Sequence, residues 1–196
     1  MKKGNNWNDH YTQRAKEEKW LARSVYKLEE IDRKQRLIKN GDRVMDLGCY
    51  PGSWSQYILN KVGKKGEVIG IDLYIPQKVS APNYTFIKGD ILYLETEQLF
   101  EDAGEIDLLV SDMAPKTTGN NVTDCARSLE LANKALEIAV TLLRKNRHFL
   151  CKVFEGEDFK EFKNSVLKCF EQVRLIRPQA VRKRSKEIYL LGIKKI

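Results

Sequence analysis

The sequence lacks the marks of several protein classes. No stretch approaches the roughly 18 consecutive apolar residues that a membrane-spanning helix needs, so no membrane association is expected. The opening MKKGNNWNDHYTQRAKEEKW has lysines with no apolar run behind them, which speaks against a secretory signal. Cys49, Cys125, Cys151 and Cys169 form no C-x-x-C pair and no ligand spacing with His10 or His148. Neither a disulfide framework nor a bound metal is therefore expected, and reduced thiols suit a cytoplasmic protein. Internal repeats and low-complexity linkers are also missing, so the 196 residues read as a single domain. Its apolar share of 42% and charged share of 32% exclude a disordered or fibrous chain.

Acidic residues are in deficit: 35 Lys and Arg stand against 27 Asp and Glu, a net charge of +8. The excess is uneven. Residues 1–40 hold eleven basic residues against six acidic ones, a basic helical extension ahead of a core at 41–196. The segment from Arg177 to Lys186 contains Arg177, Arg182, Lys183, Arg184 and Lys186 and no acid. A charge run alone usually marks a solvated face. If the fold joins the two clusters, they become a footprint for a phosphate backbone.

Periodicity predicts alternating helices and strands. A helix is expected over 12–36, with Trp20, Val25, Leu28 and Ile31 on one face. Strands are expected at 44–46, 68–71, 84–87, 106–110, 148–154, 172–176 and 187–193, and further helices at 53–61, 95–102, 123–145 and 157–170. Ser53 is expected to cap the first of these. The alternation implies an α/β fold, a mostly parallel seven-stranded sheet with helices on both faces. The last two strands are close enough to form an antiparallel hairpin.

Four successive strands end in a carboxylate: Asp46, Asp72, Asp90 and Asp112. Ligands of open α/β sheets bind in the crevice beyond the carboxyl ends of the strands. A single acid there is ordinarily a turn or cap residue, but four at one edge suit a ligand rich in hydroxyl and amine donors. The first turn, Asp46-Leu-Gly48-Cys-Tyr-Pro51-Gly52-Ser-Trp54, lacks the G-x-G-x-x-G spacing because Tyr50 occupies the second glycine position. That argues against NAD and for a nucleoside without phosphates, of which S-adenosylmethionine is the common one. Asp72, 26 residues after Asp46, falls near the position of a ribose-binding acid. Lys152 interrupts the apolar run Phe149–Phe154. A strand covered on both faces is nearly all apolar, so this lysine is expected to serve the crevice, as a general base.

Five segments in order carry a resemblance to a known family: Ala22-Arg-Ser-Val-Tyr-Lys27-Leu, Asp46 to Tyr57, Ser111-Asp112-Met-Ala-Pro-Lys-Thr-Thr-Gly119, Cys151-Lys152-Val-Phe-Glu-Gly156 and Arg184-Ser-Lys-Glu187-Ile-Tyr. From about Tyr11 to Ile193 the chain resembles the FtsJ-like (RrmJ) RNA 2′-O-ribose methyltransferases. The resemblance implies a Rossmann-like methyltransferase fold using S-adenosyl-L-methionine. It implies a catalytic tetrad of Lys27, Asp112, Lys152 and Glu187, and a cofactor pocket lined by Gly52, Trp54, Asp72, Asp90 and Asp112. Asp72 is then at the ribose hydroxyls and Asp90 near adenine. Two positions depart from the family pattern: Cys49-Tyr50 stands for a small Ala-Ala type pair, and Ser53 for a second glycine.

The Ser-Asp-Met-Ala-Pro stretch looks like the ribosomal branch, which implies a uridine in the peptidyl-transferase A loop of large-subunit rRNA, within a ribosomal particle, as substrate. Segment 14–20 is similar to relatives that modify the tRNA anticodon loop. A non-catalytic RNA-binding module of ribosome assembly is the alternative from another class. The expected protein is a monomer whose basic helix and 177–186 loop grip RNA on either side of the target nucleotide.

Overall fold

The computed structural model describes residues 6–76, 78–182 and 185–196. Its centre is a seven-stranded sheet in the order β3-β2-β1-β4-β5-β7-β6. These strands are β1 (Arg43–Leu47), β2 (Glu67–Asp72), β3 (Tyr84–Lys88), β4 (Ile106–Ser111), β5 (Leu143–Phe154), β6 (Phe170–Ile176) and β7 (Glu187–Lys195). β1 pairs in parallel with β2 and β4, β2 with β3, and β4 with β5. β7 runs antiparallel to both β5 and β6, so the expected hairpin closes the sheet. Strands β1 and β4 bury nearly every residue, as strands covered on both faces do.

Helices cover both faces. Helices α1 (Asn6–Glu17), α2 (Val25–Gln35) and α3 (Ser53–Val62) lie on one side, where Leu28, Ile31 and Ile58 pack with Val44, Val110 and Leu150. Helices α4 (Thr96–Ala103), α5 (Asn121–Leu142) and α6 (Phe159–Leu167) lie on the other, where Leu99, Ile138 and Phe162 meet Met45, Leu109 and Phe149. No helix among the described residues is long and apolar enough to cross a membrane.

Several expected boundaries shift. The helix predicted over 12–36 is two helices. Lys19 takes φ 62°; Trp20 N–H bonds Ala15 O at 2.8 Å and Lys19 N–H bonds Lys16 O at 3.2 Å. Those two bonds are a Schellman stop, made here without glycine. The cap of α3 is Gly52, at φ 113°, not Ser53; the Ser53 hydroxyl instead meets that of Ser24 at 2.9 Å. α5 stops at Leu142, and Leu143 already pairs with Ile106 in the sheet. Phe170 belongs to β6, not to the preceding helix, and stacks on Phe149 across the core.

Candidate active site

Parallel strands bring their carboxyl ends to one edge, and Asp112 follows the last residue of β4 there. Lys152 lies two residues before the end of neighbouring β5. β7 is antiparallel, so its first residue, Glu187, comes to the same edge, paired with Phe154. Lys27 arrives from the first turn of α2. The four side chains meet. Lys152 Nζ lies 2.9 Å from Asp112 Oδ1 and also donates to the Asp112 carbonyl at 2.5 Å. Lys27 Nζ pairs with Glu187 Oε1 at 2.6 Å and stands 3.9 Å from Asp112 Oδ1. Lys152 is buried, and the other three side chains keep only 13–15% exposure, so two positive and two negative groups offset one another with little help from water.

A fifth group, not singled out from the sequence, completes the cluster. The Tyr189 hydroxyl lies 2.5 Å from Asp112 Oδ1 and 3.0 Å from Glu187 Oε1. Tyr189 is fully buried, and burial, followed by the two carboxylates, raises its phenol well above the ordinary value. It therefore donates its proton rather than losing it. Burial also pushes the Asp112 carboxyl up, but Lys152 and Lys27 outweigh this and hold it below its usual range. Asp112 is an anion at neutral pH. The signal for Tyr189 was the strand period of two, which puts it on the face of Glu187, directly opposite Lys152.

Trp54 supports this cluster from beneath. Its ring lies 5.9 Å from that of Tyr189, and its indole N–H donates to Ser24 O at 2.9 Å. That bond and the Ser24–Ser53 contact tie the starts of α2 and α3 together, one helical turn before Lys27. Trp54 thus packs beside the lysine–carboxylate cluster.

The remaining acids are spread along the crevice. Asp46, one residue before the end of β1, is wholly buried: Oδ2 accepts from the Ser55 hydroxyl at 2.7 Å, and Oδ1 has no partner. Burial pushes its carboxyl up to about 7. Asp72 accepts the backbone N–H of Tyr50 on Oδ2 and that of Tyr74 on Oδ1, both at 3.0 Å. Asp90 Oδ1 accepts from Leu92 N–H at 3.1 Å, capping the short 3₁₀ turn after β3. The turn after β1 depends on Gly48, at φ 74°, where a Cβ would sit 2.6 Å from the Met113 side chain. At Gly52 a Cβ would collide with Val79, so this glycine admits the chain that follows β2. Among the described residues no cluster of His, Cys, Asp or Glu is arranged to hold a metal ion.

The basic clusters converge beside the tetrad. Arg23, four residues before Lys27, donates to Ala180 O at 2.8 Å, and Glu30 accepts from Gln179 N–H at 2.7 Å. Ala180 and Val181 are buried against the α1–α3 face. Arg177 bonds Ser185 O and Glu187 O and is exposed, as are Arg182 and Lys186. Lys183 and Arg184 lie outside the described residues.

A family model described as FtsJ-like methyltransferase matches residues 20–195. The chain is 47% identical to the "Ribosomal RNA large subunit methyltransferase E" of Bdellovibrio bacteriovorus, over 97% of this chain and 98% of that one. It is similar to the crystal structure of a Plasmodium falciparum protein described as a ribosomal RNA methyltransferase. That match has a TM-score of 0.77 at 29% identity and covers 90% of this chain and 98% of the other. Fibrillarin from Aeropyrum pernix, solved with natively bound S-adenosyl-L-methionine, shares the fold at a TM-score of 0.60 and 16% identity, over 80% of this chain and 68% of its own.

Proposed function

From the premise that the chain belongs to the FtsJ-like methyltransferase family, we propose that it transfers the methyl group of S-adenosylmethionine to a ribose 2′-hydroxyl of large-subunit rRNA, at a uridine of the peptidyl-transferase A loop, in the cytoplasm. The observation that carries this reading is the meeting of Lys27, Asp112, Lys152 and Glu187 at the sheet edge, joined by three lysine–carboxylate contacts of 2.6–3.9 Å. The name of the Bdellovibrio relative supports the choice of RNA.

The residues present fit the cofactor. Asp46 Oδ1 is an orphaned, buried carboxylate oxygen beside the Gly48 turn, and a buried polar atom without a partner is costly. An ammonium group such as the cofactor's would satisfy it. Asp72 keeps lone pairs beyond the two amides it accepts, which suits a ribose diol, and Asp90 would lie near adenine. Gly52 and Asp112 would line the same pocket, with Trp54 supporting it. Bound S-adenosylmethionine supplies a methyl group already made electrophilic by its sulfonium sulfur.

The protein's own task is then to position the hydroxyl and take its proton. Positioning accounts for much of the rate gain in such transfers. A hydroxyl is a weak nucleophile until a base within hydrogen-bond reach accepts its proton. Lys152 Nζ is that base in its neutral form, which still has two N–H groups for Asp112; taking the proton restores the ammonium that pairs with the Asp112 carboxylate. Asp112 fixes the amine through its carboxylate and its carbonyl. Lys27 steadies the negative charge that develops on the ribose oxygen, and Glu187 holds Lys27 in place at 2.6 Å. The joined basic surface of Arg23, Arg182 and Lys186 receives RNA phosphates.

The test offers labelled S-adenosylmethionine with large ribosomal subunits, and separately with tRNA, from a source lacking these modifications. Label in the large-subunit rRNA is the expected result. Label in tRNA alone would overturn the substrate, and label in neither would favour a non-catalytic module of ribosome assembly.

A further inference from the structure

Two tyrosines flank Asp72 at the far end of the crevice from the tetrad. Each donates its backbone N–H to one oxygen of that carboxylate, Tyr50 to Oδ2 and Tyr74 to Oδ1. Their rings lie 5.7 Å apart at 56°. Both are more than half exposed, at 54% and 57%, which is unusual for large side chains fixed by their own backbone. Leu73 and Ile75 are exposed alongside, at 49% and 55%. An exposed apolar group of this extent, rimming a crevice, marks a binding surface more often than a solvated one.

Position decides what it binds. Tyr50 occupies the place in the β1–α3 turn where the family pattern has a small residue. The ring is therefore an addition of this chain to a turn that already faces the ligand. The Tyr50 and Tyr74 amides stand on the two oxygens of one carboxylate, so a sugar bound to Asp72 comes within reach of both rings. Tyrosine rings offer flat, apolar faces to a purine and to the edge of a furanose. We propose that Tyr50 and Tyr74 form an aromatic clasp that stacks against the adenosine end of the cofactor and sets how tightly it is held. The inference rests on the reading of Asp72 as the ribose ligand. Asp72 supplies direction through hydrogen bonds; the rings supply contact area that the small residue of the family pattern does not.

S-adenosylhomocysteine shares the adenosine end with S-adenosylmethionine and cannot react, so calorimetric titration with it reads binding alone. Tyr50→Ala and Tyr74→Ala are each expected to weaken binding about tenfold, with Tyr50→Phe and Tyr74→Phe binding as the unaltered protein does. S-adenosylmethionine is expected to lose the same factor, because the clasp ignores the sulfonium. Unliganded melting temperatures should stay unchanged, since both rings are exposed. A double alanine variant that binds S-adenosylhomocysteine like the unaltered protein would overturn the inference. If that variant instead lost RNA affinity, the rings would belong to a base of the RNA substrate. A loss confined to S-adenosylmethionine would overturn it also, moving the rings to the sulfonium. If the unaltered protein bound no S-adenosylhomocysteine, the cofactor reading itself would fall, and the clasp with it.

Discussion

Lys152 is held by two acceptors from a single residue, the carboxylate and the carbonyl of Asp112, and Tyr189 fixes that same carboxylate from the other side. Tyr189→Phe removes the hydroxyl that links Asp112 to Glu187 but leaves the ring on Trp54. Turnover is expected to fall roughly ten- to hundredfold, by loss of one charge-assisted hydrogen bond of roughly 1.5–3 kcal/mol, with the Michaelis constant for S-adenosylmethionine unchanged. Steady-state kinetics separate this from a general packing defect, which would raise the Michaelis constant as well as lower turnover. Asp46 provides a pH signature. Burial raises its carboxyl to about 7, so the protonated form prevails below that value and the anion above it. If the anion receives the cofactor's ammonium, affinity for S-adenosylhomocysteine should rise as pH rises through about 7 and then level off. Asp46→Asn should abolish that rise, and a flat profile for the unaltered protein would remove Asp46 from the pocket. Lys152 was legible in the sequence because a charge inside an apolar strand has few structural explanations. Tyr189 was not, because a tyrosine in such a strand reads as core until the carboxylates above it are seen.

At the level of elements, strands were more legible than helix ends. Each predicted strand lies within or close to an observed one, because β-branched and apolar runs between turns have few alternative readings. The error over 12–36 has a local cause. Both α1 and α2 bury the same side against the sheet, as Ala15, Leu28 and Ile31 show, so the apolar spacing passes through the break. Neither glycine nor proline marks the stop, and Lys19 bears the left-handed conformation. Relieving it should stabilise the protein: Lys19→Gly is expected to add about 1 kcal/mol and raise the melting temperature by roughly 2–4 °C for a chain of this size. In a continuous helix the same change would cost about 1 kcal/mol, so a lower melting temperature would restore the single helix. The direction of β7 was equally consequential, because only an antiparallel strand brings its first residue, Glu187, to the edge where β4 and β5 end.

Across the whole molecule, the fold joins two stretches of sequence that composition alone left apart. Arg23 at the start of α2 reaches Ala180 in the loop before β7, and the combined basic face borders Lys27. RNA affinity should therefore decline steeply with salt, and Arg182→Ala should reduce the slope of that dependence by about one unit while weakening all RNA sequences alike. A filter-binding series over ionic strength measures both, and an unchanged slope would take Arg182 out of the RNA contact. The charge excess was legible as two clusters; their union was not, since it depends on how Ala180 and Val181 bury against the helices. The central claim is that this lysine–carboxylate cluster methylates a ribose hydroxyl. Its most direct test is to digest the rRNA product completely and identify the methylated nucleoside by mass, for the unaltered protein and for Lys152→Ala. The account predicts a uridine carrying the methyl group on its 2′ oxygen, resistant to alkaline cleavage, and none from Lys152→Ala although that variant still binds S-adenosylhomocysteine. A methyl group on the base, or full product from Lys152→Ala, would contradict it.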